Sequence, residues 1–224
     1  MKLTVIGKYG PYPKDGGATS GYLFEGGGAK LMLDFGCGIL SKIDGYCEVE
    51  KLDAIALSHT HFDHSADLLT LSYRLKAKLP LLMPARQEKG LAAAIVATKA
   101  YDVREYDEGD EIEIGGIRLT FCRLPHPVTS YAVKIRGENK TFVYTGDTVY
   151  CDELVRFCRG ADVILADAMQ KDGFTGPHMT VEQAKALSTE SGAKVICTHE
   201  PAQNAGEPEK LGLIRAQEGE TYVI

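Results

Sequence analysis

Hydrophobic and polar positions along this chain switch repeatedly between the two-residue period of strands and the longer period of helices. Strand patterns fall near 2–6, 20–25, 29–34 and 53–58, and lead into helical patterns at 65–78 and about 86–99. A second series near 111–124, 130–136, 140–145, 162–166 and 194–198 surrounds helical patterns near 151–158 and 180–191. Arg136-Gly-Glu-Asn-Lys140 reads as a hairpin turn. Thr180 and Gln183 have the spacing of a capping box, with Gly192 as the helix stop. The two series are loosely alike. Two sheets packed face to face, with helices on both outer faces, would use every element. The expectation is therefore an α/β protein, a four-layer αββα sandwich, with residues 1–224 as a single domain and no linker.

The polar residues that interrupt this pattern are chemically selective. His59-Thr-His61-Phe-Asp63-His64 follows the apolar segment Asp53-Ala-Ile-Ala-Leu-Ser58 and precedes a helical pattern, so it should occupy a strand-to-helix loop. In an extended chain His59 and His61 point the same way and can share one metal, while Asp63 and His64 can face a second. An imidazole pair with an adjacent carboxylate and a third imidazole suits a borderline divalent ion. His126, Asp147 and His199 each end a further apolar segment, and Gly146 lets the backbone approach closely beside Asp147. Each of the three, taken singly, reads as a surface or hydrogen-bonding residue. After the first cluster, they complete two metal sites.

These residues resemble the metallo-β-lactamase-fold hydrolases, in particular the branch similar to RNase Z and small phosphodiesterases. The resemblance rests on His59-x-His61-x-Asp63-His64, then His126, Tyr144-Thr-Gly-Asp147-Thr and His199, with Asp34-Phe-Gly-Cys-Gly ahead of them. It implies the αββα fold, with His59, His61 and His126 on one metal, Asp63, His64 and His199 on the other, and Asp147 bridging both. It also implies that His178, just ahead of the capped helix, is the extra histidine that assists the departing oxygen in RNase Z-like phosphodiesterases. A helix N-terminus favours the neutral imidazole, so as a proton donor His178 needs an acidic neighbour. Asp34 and Asp167 also end strand patterns, and are candidates to accept the second ring N–H of ligand histidines. Ser58, Thr60 and Thr198, which flank ligands, are candidates for the same task.

The resulting expectation is a hydrolase with two divalent ions, zinc first, with manganese or iron as substitutes. A hydroxide held between the ions would attack, and Asp63 would orient or deprotonate that water. The leading substrate class is a small or short phosphodiester: a cyclic nucleotide, a cyclic sugar phosphate or a short oligonucleotide. A carboxyl ester, thioester or lactone hydrolase is the alternative on the same centre, followed by an iron-containing redox or sensor module and a non-catalytic binding protein. His178 speaks against the first alternative, and the intact ligand set against the last.

Composition narrows the partners. The formal charge is −6, so no global basic field draws in a long nucleic acid. The Lys and Arg excess over 71–104, including Arg74, Lys76, Lys78, Arg86 and Lys89, reads chiefly as the solvated face of helices. Bacterial RNase Z proteins insert a long arm between the third histidine and the bridging aspartate. Here only residues 127–146 intervene, and a hairpin uses them up. The six cysteines show neither CxxC pairing nor disulfide-framework spacing, and there is no signal-peptide or membrane-length apolar run. A cytoplasmic protein with reduced thiols is expected, and a homo-oligomer is compatible with this sequence. The Gly-, Pro- and Tyr-rich loop from Lys8 to Ser20 is a candidate wall of the substrate pocket.

Overall fold

In a computed structural model, residues 1–86 and 89–224 are described. Two seven-stranded sheets face each other. The first runs Thr221–Val223, Lys2–Gly7, Gly21–Gly26, Ala29–Leu33, Ala54–Ala56, Leu79–Pro84 and Tyr101–Tyr106 from edge to edge. The second runs Ile214–Arg215, Lys194–Thr198, Val163–Asp167, Lys140–Tyr144, Ser130–Gly137, Ile117–Leu124 and Glu111–Ile114. Alternation within each strand explains the layering. Leu31 and Leu33 enter the core between the sheets, whereas Met32 enters the cluster that packs Leu68, Leu71, Ala92 and Ile95 against the outer face. In the second sheet Val163 and Leu165 face inward, and Ile164 packs outward with Leu154, Val155, Ala184 and Leu187. This is the αββα sandwich read from the sequence.

From its middle strand toward one edge, each sheet runs parallel. Ala29–Leu33 pairs in parallel with Ala54–Ala56, as do Lys140–Tyr144 with Val163–Asp167 and Val163–Asp167 with Lys194–Thr198. Their carboxyl ends are therefore brought together, and Asp34, His59, Asp147 and His199 follow directly from them. Tyr131 donates its backbone N–H to the Ser58 carbonyl at 3.0 Å and ties the two sheets together at that edge.

Several local readings hold and others are corrected. Helices cover Asp152–Cys158 and Val181–Ser191, the latter with the expected Thr180–Gln183 capping box and with Gly192 at φ 74°. The Glu138-Asn139 turn, at φ 50° and 58°, joins two paired strands. The helix expected over 65–78 is instead two short segments, Phe62–Ser65 and Asp67–Leu71. Leu79–Pro84, directly after that helical pattern, is a strand. A parallel strand with two covered faces is a continuous apolar run and lacks the alternation that identifies a strand. The strand Tyr101–Tyr106 has no strand pattern in the sequence, because this edge strand carries Asp102, Arg104 and Glu105 and reads as polar. The expected helix at 86–99 spans Gly90–Ala97, and residues 87 and 88 lie outside the described residues. The segment 111–124 is two strands, joined at Gly115 and Gly116. No helix among the described residues is long and apolar enough to cross a membrane.

Candidate metal centre

All seven residues expected as ligands come together at this edge, in two groups that share Asp147: His59, His61, His126 and Asp147, then Asp63, His64, Asp147 and His199. In the first group His61 Nδ1 lies 3.0 Å from His59 Nε2 and 3.2 Å from His126 Nε2. Ligand nitrogens about 2.0–2.1 Å from a tetrahedral ion stand roughly 3.3–3.4 Å apart, so this spacing suits one ion. In the second group His199 Nε2 lies 3.1 Å from Asp63 Oδ2 and 3.3 Å from Asp147 Oδ2. His64 Nε2 and Asp147 Oδ1 are 3.2 Å apart and buried, yet neither has a partner of good hydrogen-bond geometry. Buried polar atoms are seldom left this way without an ion or water to satisfy them. The donor set is nitrogen and carboxylate throughout, with no thiolate, which fits zinc, manganese or iron alike.

Electrostatics divides the two groups. Burial holds His59 well below the usual imidazole range and pushes His126 down to about 4, so both are neutral and their lone pairs are available. Burial also lowers His61. In the second group burial again opposes charge, but carboxylates outweigh it: Asp147 and Asp63 hold His64 well above the ordinary range, and Asp147 with Asp167 holds His199 at about 9. The second group therefore calls for positive charge. A proton supplies it weakly and a divalent ion supplies it fully.

Asp34 organises the ligands from behind. It is buried and left-handed at φ 58°, a conformation Asp tolerates better than most residues. Its Oδ1 accepts from Ser58 N at 2.7 Å, and its Oδ2 from Ser58 Oγ at 2.8 Å and Tyr144 OH at 2.6 Å. His64 Nδ1 donates to the same Oδ2 at 2.7 Å, which leaves His64 Nε2 to face the ion. Ser58 Oγ is also 3.0 Å from His59 Nδ1, so Asp34 reaches a member of each group. Asp167 differs from the sequence expectation. Its Oδ2 accepts from His178 Nδ1 at 2.7 Å, while its Oδ1 stands 3.6 Å from His199 Nδ1, beyond hydrogen-bond reach.

His178 stacks on His199, with ring centroids 4.8 Å apart, and its Nδ1 is 3.9 Å from Asp147 Oδ2. It thus faces the gap between Asp147 and His199 as expected, and Asp167 is the acidic neighbour that a proton donor there requires. Burial opposes its charge, but Asp167 outweighs burial and raises its pKa above the usual imidazole value.

The sequence did not signal the supports around His199. Glu200–Pro201 pairs in parallel with Tyr9–Gly10, so the Lys8–Ser20 loop meets the site through Gly10. A Cβ on Gly10 would fall 2.1 Å from His199 Nε2. Only a glycine permits this approach.

A sandwich whose parallel strand ends deliver two imidazole–carboxylate groups joined by one aspartate defines a metallo-hydrolase. Residues 43–199 match the family described as "Beta-lactamase superfamily domain", and the chain belongs to that family. It is 35% identical over 214 residues to the "Probable metallo-hydrolase YhfI" of Bacillus subtilis, covering 90% of this chain and 87% of that protein. The crystal structure of YhfI superposes with a TM-score of 0.87 at 31% identity, covering 99% of this chain and 98% of that one. Ribonuclease Z of Mycobacterium bovis is 26% identical over 263 residues, covering 97% of this chain and 92% of the relative. A diphosphatase of the PhnP family shares the fold, with a TM-score of 0.77 at 19% identity over 99% of this chain and 96% of that one. The fold implies divalent metal ions at the His/Asp groups.

Proposed function

We propose that this chain is a binuclear metal-dependent phosphodiesterase acting on a small or short phosphodiester: a cyclic nucleotide, a cyclic sugar phosphate or a short oligonucleotide. The observation that carries this reading is the His178–Asp167 pair beside Asp147 and His199. His59, His61 and His126 would hold one ion, and Asp63, His64 and His199 the other, with Asp147 shared; the donor set suits zinc, manganese or iron. When bound, the ions would activate water near neutral pH and polarise the phosphoryl oxygen.

The chain's own residues supply the rest. Asp63, itself a member of the second group, orients the attacking water. As the water oxygen bonds to phosphorus, the bond to the leaving oxygen breaks, and that oxygen takes the proton from His178 Nε2. Asp167 keeps a proton on Nδ1, so the ring returns to the neutral tautomer with Nε2 bare. Carboxyl ester cleavage makes a weaker demand for a second acid placed this way. The names of Ribonuclease Z and the PhnP-family diphosphatase are in keeping with phosphoric ester chemistry. Long nucleic acid is disfavoured because the chain's net charge is −6, and the strands Ser130–Gly137 and Lys140–Tyr144 occupy the stretch where an arm would sit.

The test is His178→Ala on two diesters. An alkyl or nucleoside leaving group needs the proton, whereas an activated aryl ester leaves as a stable phenolate. The variant should keep its metals and lose roughly 10²–10⁴-fold on the alkyl diester, but far less on the aryl ester. Equal losses would refute the proton-donor role, and turnover of lactones or thioesters without any diesterase activity would replace the reading.

A further inference from the structure

Beside His61 lies a cavity of about 570 Å³ whose lining does not include His178. Its apolar wall is Phe62, Leu91 and Val128, with Arg86 and Lys89 also lining it. Phe62 sits between two residues of the metal centre, His61 and Asp63, yet it is 68% exposed and takes no part in the core. A phenyl ring left outside the core, next to a metal-site residue in the wall of a ligand-sized cavity, is placed to meet a ligand.

We propose that this cavity binds a planar heteroaromatic group on the arm of the diester that remains attached to phosphorus, so that the substrate is a nucleoside phosphodiester. This rests on the phosphodiesterase reading above. In-line displacement sends the leaving oxygen toward His178, and the cavity beside His61 is left for the retained arm. A nucleoside fills a space of this size and stacks its base on Phe62, with Leu91 and Val128 closing the apolar wall. A cyclic sugar phosphate without a base would leave that wall wet. Arg86, paired with Asp107 at 3.5 Å on the surface, and Lys89 add positive charge near an anionic ester in a chain of net charge −6.

The test holds the leaving group constant and varies the retained arm. The zinc-loaded protein is assayed on thymidine 5′-(4-nitrophenyl phosphate) and on methyl 4-nitrophenyl phosphate, and the ratio of the two kcat/KM values is the readout. The wild type should favour the nucleoside ester by roughly tenfold or more, within the range that base–aromatic stacking supplies. Phe62→Ala should lower that ratio roughly tenfold, chiefly through KM, while Phe62→Tyr should retain it. Val128→Asp, which spoils the same wall from another loop, should also lower the ratio, and so covers a Phe62→Ala protein that fails to fold. Binding of thymidine 5′-monophosphate, read by calorimetry against methyl phosphate, should follow the same order. A wild-type ratio near one, or a ratio unmoved by both wall substitutions, overturns the inference and leaves the phosphodiesterase reading standing. Absence of turnover on both diesters, with turnover of a lactone or thioester, overturns both.

Discussion

Asp34→Asn isolates the support behind the metal centre with the smallest change of shape. Asn tolerates the left-handed backbone at φ 58°, so any effect arises from the four hydrogen bonds that the carboxylate accepts. An amide can satisfy only one side of that arrangement. With its oxygen toward Ser58 Oγ, His64 and Tyr144, its NH₂ meets the Ser58 N–H, donor against donor in place of a 2.7 Å bond. Turned over, its NH₂ meets His64 Nδ1, which can accept only by moving the ring proton to Nε2, the nitrogen assigned to the ion. A hydrogen bond to a charged group contributes about 1.5–3 kcal/mol, and a buried unsatisfied donor costs about 1–3 kcal/mol. The first orientation should therefore destabilise the metal-free protein by about 2.5–6 kcal/mol, a large share of the ~5–15 kcal/mol typical of a folded protein. The second should weaken the second ion roughly 10–100-fold, as losing the partner of a ligand histidine does. Urea unfolding of the metal-free protein and competitive zinc titration measure the two terms separately. Wild-type unfolding together with wild-type affinity for both ions would refute this account of Asp34.

Two further outcomes test the division of ligands. Asp147→Ala should deplete both ions and His199→Ala chiefly the second, read by elemental analysis after gel filtration; unchanged metal content in both variants would count against a shared Asp147. The pH dependence of the two affinities should also differ. An imidazole must lose its proton to ligate; metal-free His199 holds one below about 9, and His64 is held well above the usual range, so the second ion's affinity should rise by roughly tenfold or more per pH unit from 7 toward 9. His126, pushed down to about 4, and His59, held well below the usual range, are already deprotonated there, so the first ion's affinity should stay nearly flat. Proton release measured by calorimetry in buffers of different ionisation enthalpy decides this, and two flat profiles would sink it.

The metal centre was legible because its chemistry is concentrated in a few residue types at strand ends. His59 to His64 form one uninterrupted run, and His126, Asp147 and His199 each close an apolar segment. The helix capped by Thr180 and Gln183 was legible from local spacing in the same way, and it fixed the direction of His178. What the sequence does not signal depends on contacts distant along the chain. Leu79–Pro84 is a strand only because both its faces are covered, and Thr221–Val223 only because Lys2–Thr4 offers it a partner. Asp167 reads from the sequence as a support for a ligand histidine, but which histidine it meets follows from the path of the loop 168–177, and no spacing rule supplies that path.

The supports of His199 show what this non-local part contributes. His199 is left-handed at φ 60°, a conformation that costs a non-glycine residue of order 1–3 kcal/mol and persists only where its surroundings over-determine it. The surroundings here come from both ends of the chain. Glu200 N donates to the Lys8 carbonyl at 2.7 Å, Lys8 Nζ returns to Glu200 Oε2 at 2.6 Å, and Arg215 Nη1 lies 3.1 Å from Glu200 Oε1. Gly10 then presses on the imidazole from the side where any Cβ would collide. The backbone beside His199 is thus clamped by a buried lysine, an arginine and a parallel pair of strands, so the ring has little freedom to turn away from Asp63 and Asp147. A ligand held this firmly before an ion arrives loses little conformational entropy on binding it, which favours ion binding at the group where carboxylates already demand positive charge.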